Sequence, residues 1–229
     1  MLSLFLASLL FFAIHAAVSG TRLRGVLINW IGQGAYMGLF AGASAGALTW
    51  VILAYINAPH VELWADVAAL KMLAVPMMAV AVVLAVLAFS TPNPTAAGGE
   101  NALTKERPAR GIIKVTRHPF LVAVTIWAVA HVMANGDLAS LVLFGGLLAL
   151  SLIGPRLIDA KRAANYPKTW PRFQAQTSWI PFAAILQGRA QVIMSEIGWA
   201  RIGVGVALFM VIVMAGHEWA IGIAVLTGH

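Results

Sequence analysis

Residues 67–90 read VAALKMLAVPMMAVAVVLAVLAFS, and Lys71 is the single charged residue in this run. A helix needs about 17–25 apolar residues to cross a bilayer, so the run is long enough for one crossing. The rest of the chain has a similar character. Of its 229 residues 61% are hydrophobic and 10% charged, with a mean hydropathy of +0.87. A soluble domain needs a charged surface, so this composition predicts an integral membrane protein.

Five further apolar runs accompany residues 67–90, namely 2–18, 34–56, 119–134, 138–154 and 202–226. Together they predict an all-α bundle of about six transmembrane helices that forms a single domain over residues 1–229. The run that begins at Pro119 is short for a crossing, and His217 and Glu218 interrupt the last run. Five and seven helices are therefore the alternatives.

The basic residues indicate the topology. Six crossings place segments 19–31, 91–117 and 155–201 on one side of the membrane, and these hold all of the 15 Lys and Arg residues except Lys71. The opposite loops carry acidic residues: Glu62, Asp66, Asp137 and Glu218. Positive charge is retained on the cytoplasmic side, so we expect a multi-pass inner-membrane protein with both termini outside. The net charge of +7 is then a topology signal and no sign of nucleic-acid binding, and contact with anionic lipid headgroups is a secondary consequence.

Two segments have features that indicate their relation to the membrane, namely the first apolar run and residues 156–200. The first run lacks a basic n-region, so we expect an uncleaved helix and not a signal peptide. Residues 156–200 mix Tyr166, Trp170 and Trp179 with basic residues, which is typical of a segment at headgroup level. Within it an amphipathic helix on the cytoplasmic face is predicted by apolar and basic residues at helical spacing: Phe182, Ile185, Arg189, Ile193 and Ile197.

Glycines and breakers suggest how the helices are connected. A stripe of glycines spaced four apart on the second helix favours close packing of another helix over close approach of a flat ligand: Gly34, Gly38, Gly42 and Gly46. Residues 91–110 are rich in Pro and Gly and predict an irregular loop. Asn135-Gly136-Asp137 predicts a tight turn that makes helices four and five an antiparallel hairpin.

Histidines are the main candidates for chemistry, since the absence of cysteine excludes disulfides, thiolate ligation of haem and iron–sulfur clusters. We expect His60, His217 and His229 at solvated or interfacial positions. His118 follows Arg117 and precedes Pro119, which suits the first position of a helix. At this helix start we expect a cap, with Arg117 facing lipid phosphates.

His15 and His131 differ from these because both fall inside apolar runs. Ionisable residues there are costly and tend to face a bundle interior, a cavity or a ligand. Depth along the helices, counted from Arg22 and Arg117, separates their Cα atoms by about 10 Å. His118 matches His15 in depth almost as well. Geometry alone therefore leaves open which histidine pairs with His15, and also whether either one is a ligand or a packed core residue.

The motifs of the chain resemble those of NnrU-domain membrane proteins, the group that includes plant and cyanobacterial zeta-carotene isomerases. They begin with His15, the Arg22-Leu23-Arg24 turn and Gly111-Ile112-Ile113-Lys114-Val115-Thr116-Arg117-His118-Pro119. Trp127-Ala128-Val129-Ala130-His131 and Asn135-Gly136 follow, and then Arg156, Asp159-Ala160-Lys161, Trp170, Phe173, Thr177-Ser178 and Ile180-Pro181-Phe182. The resemblance covers roughly residues 5–220, nearly the whole chain.

The resemblance implies haem b with His15 and His131 as its two iron ligands. It also implies an apolar substrate reached from the lipid, a polyene isomerised at the iron. In the isomerases a cysteine three residues before the second histidine takes part in a redox-linked ligand switch. That position is Ala128 here, which excludes a thiolate switch. The other branch of the family is named for a role in nitrite and nitric oxide reduction, so denitrification is a second implied context.

Two alternatives come from other classes of protein. Arg117-His118-Pro119, Tyr166 and Ile180-Pro181-Phe182 are similar to membrane methyltransferases that use S-adenosylmethionine, although the glutamate pair of those enzymes is absent and Asp159 is the acid nearby in sequence. On that hypothesis Arg117 and His118 are the cofactor-binding residues. The third hypothesis is a non-enzymatic membrane factor that supports assembly of a respiratory reductase.

Overall fold

The computed structural model describes residues 1–19, 21, 23–65, 67–222 and 225. Arg22, Asp66 and His229, which entered the predictions above, lie outside the described residues. The described residues form helices and loops without any strand, and one isolated antiparallel bridge joins Glu62 to Asp137. The predicted all-helical fold is confirmed.

Twelve α-helices occur along the described chain. They are α1 (Leu2–Ala13), α2 (Leu23–Ile31), α3 (Gln33–Ile56), α4 (Ala68–Ser90), α5 (Ile112–Val115), α6 (Pro119–Asn135), α7 (Leu138–Asn165), α8 (Trp170–Ala175), α9 (Ala183–Leu186), α10 (Met194–Ile197), α11 (Trp199–Val211) and α12 (His217–Ile221). Ile14–Ser19 and Ile212–Gly216 are π-helical, and Glu100–Thr104 is a 3-10 helix in the predicted irregular loop.

Four of the described helices are long and apolar enough to cross a membrane: α3, α4, α7 and the continuous stretch Trp199–Trp219. A fifth crossing results if Leu2–Val18 and α2 form one bent span. Helix α6 has 17 residues and extends about 26 Å, slightly less than the hydrocarbon core of about 30 Å. Each of the six predicted runs contains a described helix, and the described helices support four to five crossings by length and composition.

The chain divides into two compact units, of which unit 1 comprises Met1–Ala74 and Trp127–Lys161. Its buried apolar cluster joins Leu4 and Ala7 of α1 to Val51 of α3 and Ala139 of α7. The two-residue connection between α6 and α7 confirms the predicted tight turn. Asp137 caps α7, since its Oδ1 accepts a hydrogen bond from the Ser140 N–H at 2.9 Å.

Unit 2 comprises Val75–Ile126 and Arg162–His229. Its core contains Trp170 and Phe173 of α8, which are 1% and 0% exposed, together with Ile113 of α5. The sequence pattern placed Trp170 in a segment at headgroup level. It is instead buried with Phe173 in a packed cluster that includes residues of α5.

Two expectations about helix packing are wrong. The amphipathic helix predicted over residues 182–197 is interrupted between α9 and α10, because Gly188 adopts a φ of 70° and stops the first helix. Arg189 then donates hydrogen bonds from Nη1 to the Ala175 and Thr177 carbonyls at 2.7 and 3.0 Å, which holds the chain in a loop.

The glycine stripe of α3 also differs from the prediction. A Cβ built at Gly34, Gly38, Gly42 or Gly46 would meet no described atom within 4 Å. The buried face of α3 carries other residues, Tyr36, Ala47 and Val51. Helix packing therefore uses the face with larger side chains, and the stripe faces outward.

Candidate functional site

His15 lies in the π-helical turn that follows α1. Such turns widen a helix by one residue per turn and occur frequently at functional sites. Nδ1 of His15 lies 2.9 Å from the Phe11 carbonyl oxygen. The imidazole also packs against Phe11 and Phe40, with ring centroids 4.3 and 5.4 Å away. The ring is thus held between aromatic side chains of α1 and α3.

His131 lies near the end of α6 and has a closely similar environment. Its Nδ1 is 2.8 Å from the Trp127 carbonyl oxygen, again four residues earlier. Its ring stacks on Phe144 of α7 with centroids 4.6 Å apart and contacts Trp127 at 4.9 Å. Phe144 was not selected from the sequence. The tight turn at Gly136 was a usable signal, because it brings the first turns of α7 alongside the last turns of α6.

The two hydrogen bonds determine which nitrogen of each ring can bind a metal. A carbonyl oxygen only accepts, so Nδ1 carries the proton in both imidazoles. In a neutral ring Nε2 then bears the lone pair, and an N–H to carbonyl bond of this kind is the usual support for a metal-binding histidine. His15 and His131 therefore have the same tautomer and the same metal-binding atom. Both histidines belong to unit 1.

The metal-binding side chains described near His15 and His131 are few. Within the described residues no group of three or more His, Asp or Glu side chains could hold a metal ion. A porphyrin brings four equatorial nitrogens of its own, so two axial imidazoles are sufficient. His15 and His131 each offer one Nε2 and aromatic neighbours, so the kind of donor suits this requirement.

The space available in unit 1 is small. A cleft of about 20 Å³ is lined by residues of α1, α3 and α7: Ser8, Phe11, Phe12, Leu48, Val51, Leu143, Gly146 and Leu147. This volume corresponds to about one water molecule. Phe11 also contacts His15, and Leu143 precedes the Phe144 that stacks on His131. His15 and His131 are not among the residues that line this cleft.

Arg117 and His118 belong to unit 2 and are 5% and 2% exposed. The Arg117 backbone N–H donates to the Ser178 carbonyl at 2.8 Å, and its Nη1 donates to the Thr177 carbonyl at 3.2 Å. Thr95 Oγ1 donates to the Arg117 carbonyl at 2.6 Å. The expectation that Arg117 faces lipid phosphates is therefore wrong. Its guanidinium is buried, and its hydrogen bond joins the start of α6 to the segment after α8.

Arg162 is a further buried basic residue, which the sequence pattern did not distinguish from the other loop cations. It is 5% exposed, forms an ion pair with Glu100 at 2.5 Å and donates to the Ala96 carbonyl at 2.8 Å. Its signal in the sequence was weak, because Glu100 lies 62 positions away in a loop without regular periodicity. This pair ties the end of α7 to the 3-10 helix.

The fold and the paired histidines define an all-helical integral membrane protein with imidazoles placed inside its apolar helices. The chain belongs to the NnrU protein family, whose sequence profile matches residues 3–225. This confirms the resemblance inferred from the motifs.

The chain is also similar to two plant proteins named 15-cis-zeta-carotene isomerase, chloroplastic. It is 29% identical to the one from Arabidopsis thaliana over 189 residues, which cover 79% of this chain and 49% of that protein. It is 26% identical to the one from Zea mays over 189 residues, which cover 82% of this chain and 51% of that protein. The chain thus spans about half the length of these curated relatives. No solved structure matches it significantly.

Proposed function

We propose that this protein is a membrane isomerase that acts on an apolar polyene, with haem b held between His15 and His131. The observation that carries the proposal is the pair of imidazoles in unit 1, each with Nδ1 hydrogen-bonded to the carbonyl four residues earlier. The similarity to carotene isomerases supplies the reaction class. The family resemblance is what selects His131 over His118.

In this proposal the protein's own residues hold and orient the two imidazole rings and exclude water from them. The carbonyls of Phe11 and Trp127 fix the two rings, and Phe40 and Phe144 cover them with apolar surface. When bound, haem supplies a Lewis acid or one-electron centre, which a polyene needs because it offers no group for acid–base catalysis. The substrate enters from the lipid, since the outer faces of the helices are apolar.

The proposed location is the cell inner membrane, with basic loops 91–117 and 155–201 in the cytoplasm and both termini outside. The distribution of Lys and Arg supports this orientation. Fusing a reporter that is active only in the cytoplasm to each terminus tests it. Activity of the reporter at either terminus contradicts the orientation.

The haem assignment is tested by expressing the full chain with adequate haem and recording its visible spectrum. We expect a Soret band that is lost in the His15→Ala/His131→Ala double variant and retained in His60→Ala, since His60 is exposed. Adding imidazole to His131→Gly should restore the band. Absence of the band from the parent protein, or its retention in the double variant, rules the assignment out.

The reaction is tested separately by supplying the haem-loaded protein in liposomes with a 15-cis polyene and separating the isomers. Conversion that depends on His15 and His131 supports the isomerase. S-adenosylmethionine binding that is lost in Arg117→Ala would favour the methyltransferase instead.

A role in nitrite or nitric oxide metabolism is the second candidate, favoured by Ala128. This residue is 0% exposed and replaces the cysteine of the isomerase pattern. Tight binding of nitric oxide by the reduced protein, without isomerisation of any polyene, supports the second candidate over the first.

A further inference from the structure

Unit 2 contains a second feature that the proposed isomerase does not use, a basic cavity of about 320 Å³. Its walls come from the loop before α5, from α5, from α8 and its C-terminal end, and from α10 with the residue before it. The charged lining residues are Arg107, Lys114, Arg172, Glu106 and Glu196. Arg107 and Arg172 are exposed, so the cavity opens to its surroundings.

The charges in this basic cavity are only partly neutralised. Lys114 pairs with Glu196 at 2.9 Å, and Glu196 Oε2 also accepts the Gly111 backbone N–H at 3.0 Å. Arg172 uses Nη2 to donate to the Glu106 backbone carbonyl at 3.1 Å. Arg107 also interacts electrostatically with Glu196, and the guanidiniums of Arg107 and Arg172 are the exposed cationic groups of the cavity. Guanidiniums bind phosphate oxygens in a bidentate manner, which favours an anion with several oxygens.

Exposed apolar residues lie in the basic cavity and close to it along the chain. Ile193 lines the cavity and is 45% exposed, and Trp199, three residues after the lining residue Glu196, is 68% exposed. A soluble anion has no apolar part that could pack against such side chains. Apolar side chains and tryptophan beside arginines are typical of a protein surface that meets the boundary between headgroups and acyl chains. The lining residues also belong to segments 91–117 and 155–201, which face the anionic cytoplasmic leaflet in the predicted topology.

We propose that the basic cavity binds the phosphate of an anionic phospholipid, with Arg107 and Arg172 on the headgroup and Ile193 and Trp199 against the acyl chains. The Lys114–Glu196 pair forms a wall that fixes α10 against α5. Glu106 opposes the anion and limits its affinity, so lipids with one negative charge suit the site better than lipids with several.

The test uses the full chain in nanodiscs of phosphatidylcholine, with spin-labelled phosphatidylglycerol as the probe and spin-labelled phosphatidylcholine as the reference. Loss of a charge-assisted hydrogen bond to phosphate weakens binding by a factor of about ten or more, so Arg107→Gln/Arg172→Gln should weaken binding about 100-fold or more, whereas general surface charge accounts for a factor of only about five per residue. The matched control is Arg110→Gln/Lys168→Gln, which removes the same charge from exposed positions outside the cavity. Glu106→Gln should strengthen binding about fivefold.

Equal losses in the paired variant and the control would mean that only general surface charge attracts the lipid, which overturns the proposal. Equal binding of the two labelled lipids by the parent protein also overturns it. A third arm distinguishes the source of the phosphate, because inorganic phosphate that binds as tightly as the lipid makes the ligand a soluble anion. Trp199→Ala should weaken the lipid and leave inorganic phosphate unchanged. Circular dichroism confirms that each variant is folded.

Discussion

Gly136 in the turn between α6 and α7 provides the sharpest test of how His131 is positioned. Its φ is 65°, in the left-handed region that residues with a Cβ avoid. Its carbonyl accepts the N–H groups of Leu63 and Trp64 at 2.8 and 3.2 Å. A Cβ at this position would lie 2.6 Å from the Trp64 carbonyl oxygen and 3.1 Å from its Nε1. The turn therefore has no room for alanine.

We expect Gly136→Ala to destabilise the protein strongly. The left-handed backbone costs alanine about 1–2 kcal/mol, and forced overpacking costs about 1–3 kcal/mol. The combined loss of about 2–5 kcal/mol corresponds to a factor of about 30 or more in the unfolding equilibrium. Gly145→Ala on α7 is the matched control, since its Cβ would meet only Leu141 Cδ1 at 3.7 Å. There alanine should stabilise the helix by about 0.5–1 kcal/mol.

The assay is unfolding of both variants by sodium dodecyl sulfate in mixed micelles, followed by circular dichroism. If the proposed haem site is correct, the Soret band provides a second readout, because displacement of the α6 end also displaces His131. If Gly136→Ala unfolds at the same detergent fraction as Gly145→Ala, the contact between Gly136 and Trp64 does not hold the turn and this reasoning is refuted.

Two further predictions concern unit 2. Gly205→Ala should cost about 1–3 kcal/mol through overpacking, because its Cβ would lie 2.8 Å from Cα of Val83. Gly203→Ala, which meets nothing within 4 Å, should be neutral or stabilising, and equal melting temperatures would contradict the contact. The pKa of the Glu196 carboxyl is lowered from 4.5, mainly by the hydrogen bond from the Gly111 N–H and further by Lys114. Its stabilising effect is therefore present above pH 4.5 and lost as the pH falls through the lower pKa of the folded state. The melting temperature of Glu196→Gln should lack this acid-dependent drop, and parallel pH profiles for the two proteins would refute the assignment.

The membrane helices were predictable because apolar length is a strong signal that does not depend on tertiary contacts. Pro119 and the residues around Gly136 located the start and end of α6 correctly. The segment after α8 was not predictable in the same way. Its apolar spacing suits a helix, but Gly188 and the side chain of Arg189 form a loop whose hydrogen bonds reach back to residues 175 and 177. Hydrogen bonds to residues outside the segment do not affect the spacing of its apolar residues, so the sequence pattern could not indicate them.

The candidate site was predictable only in part. The free-energy cost of placing an ionisable side chain inside an apolar run is enough to select His15 and His131 from the sequence. Depth counted at 1.5 Å per residue could not choose their pairing, because the π-helical turn at Ile14–Ser19 changes the rise and the direction of the side chains locally. The partner Phe40 was also beyond reach, since it comes from another helix, whereas the turn at Gly136 was a usable signal for Phe144. The shared Nδ1 hydrogen bonds are a finding of the structure alone.

Ala128 limits which chemistry the proposed site can perform. It is 0% exposed and lies one turn before His131 on α6, so a thiol there would be buried beside the ligand. The chain has no cysteine at any position, so a switch to a thiolate ligand is excluded. In the proposed isomerase, ligation by His15 and His131 would therefore have to operate without a thiolate partner. The cleft between α1, α3 and α7 has a volume of about 20 Å³, so on the proposed function these helices would have to separate there before the cleft could admit haem or a polyene.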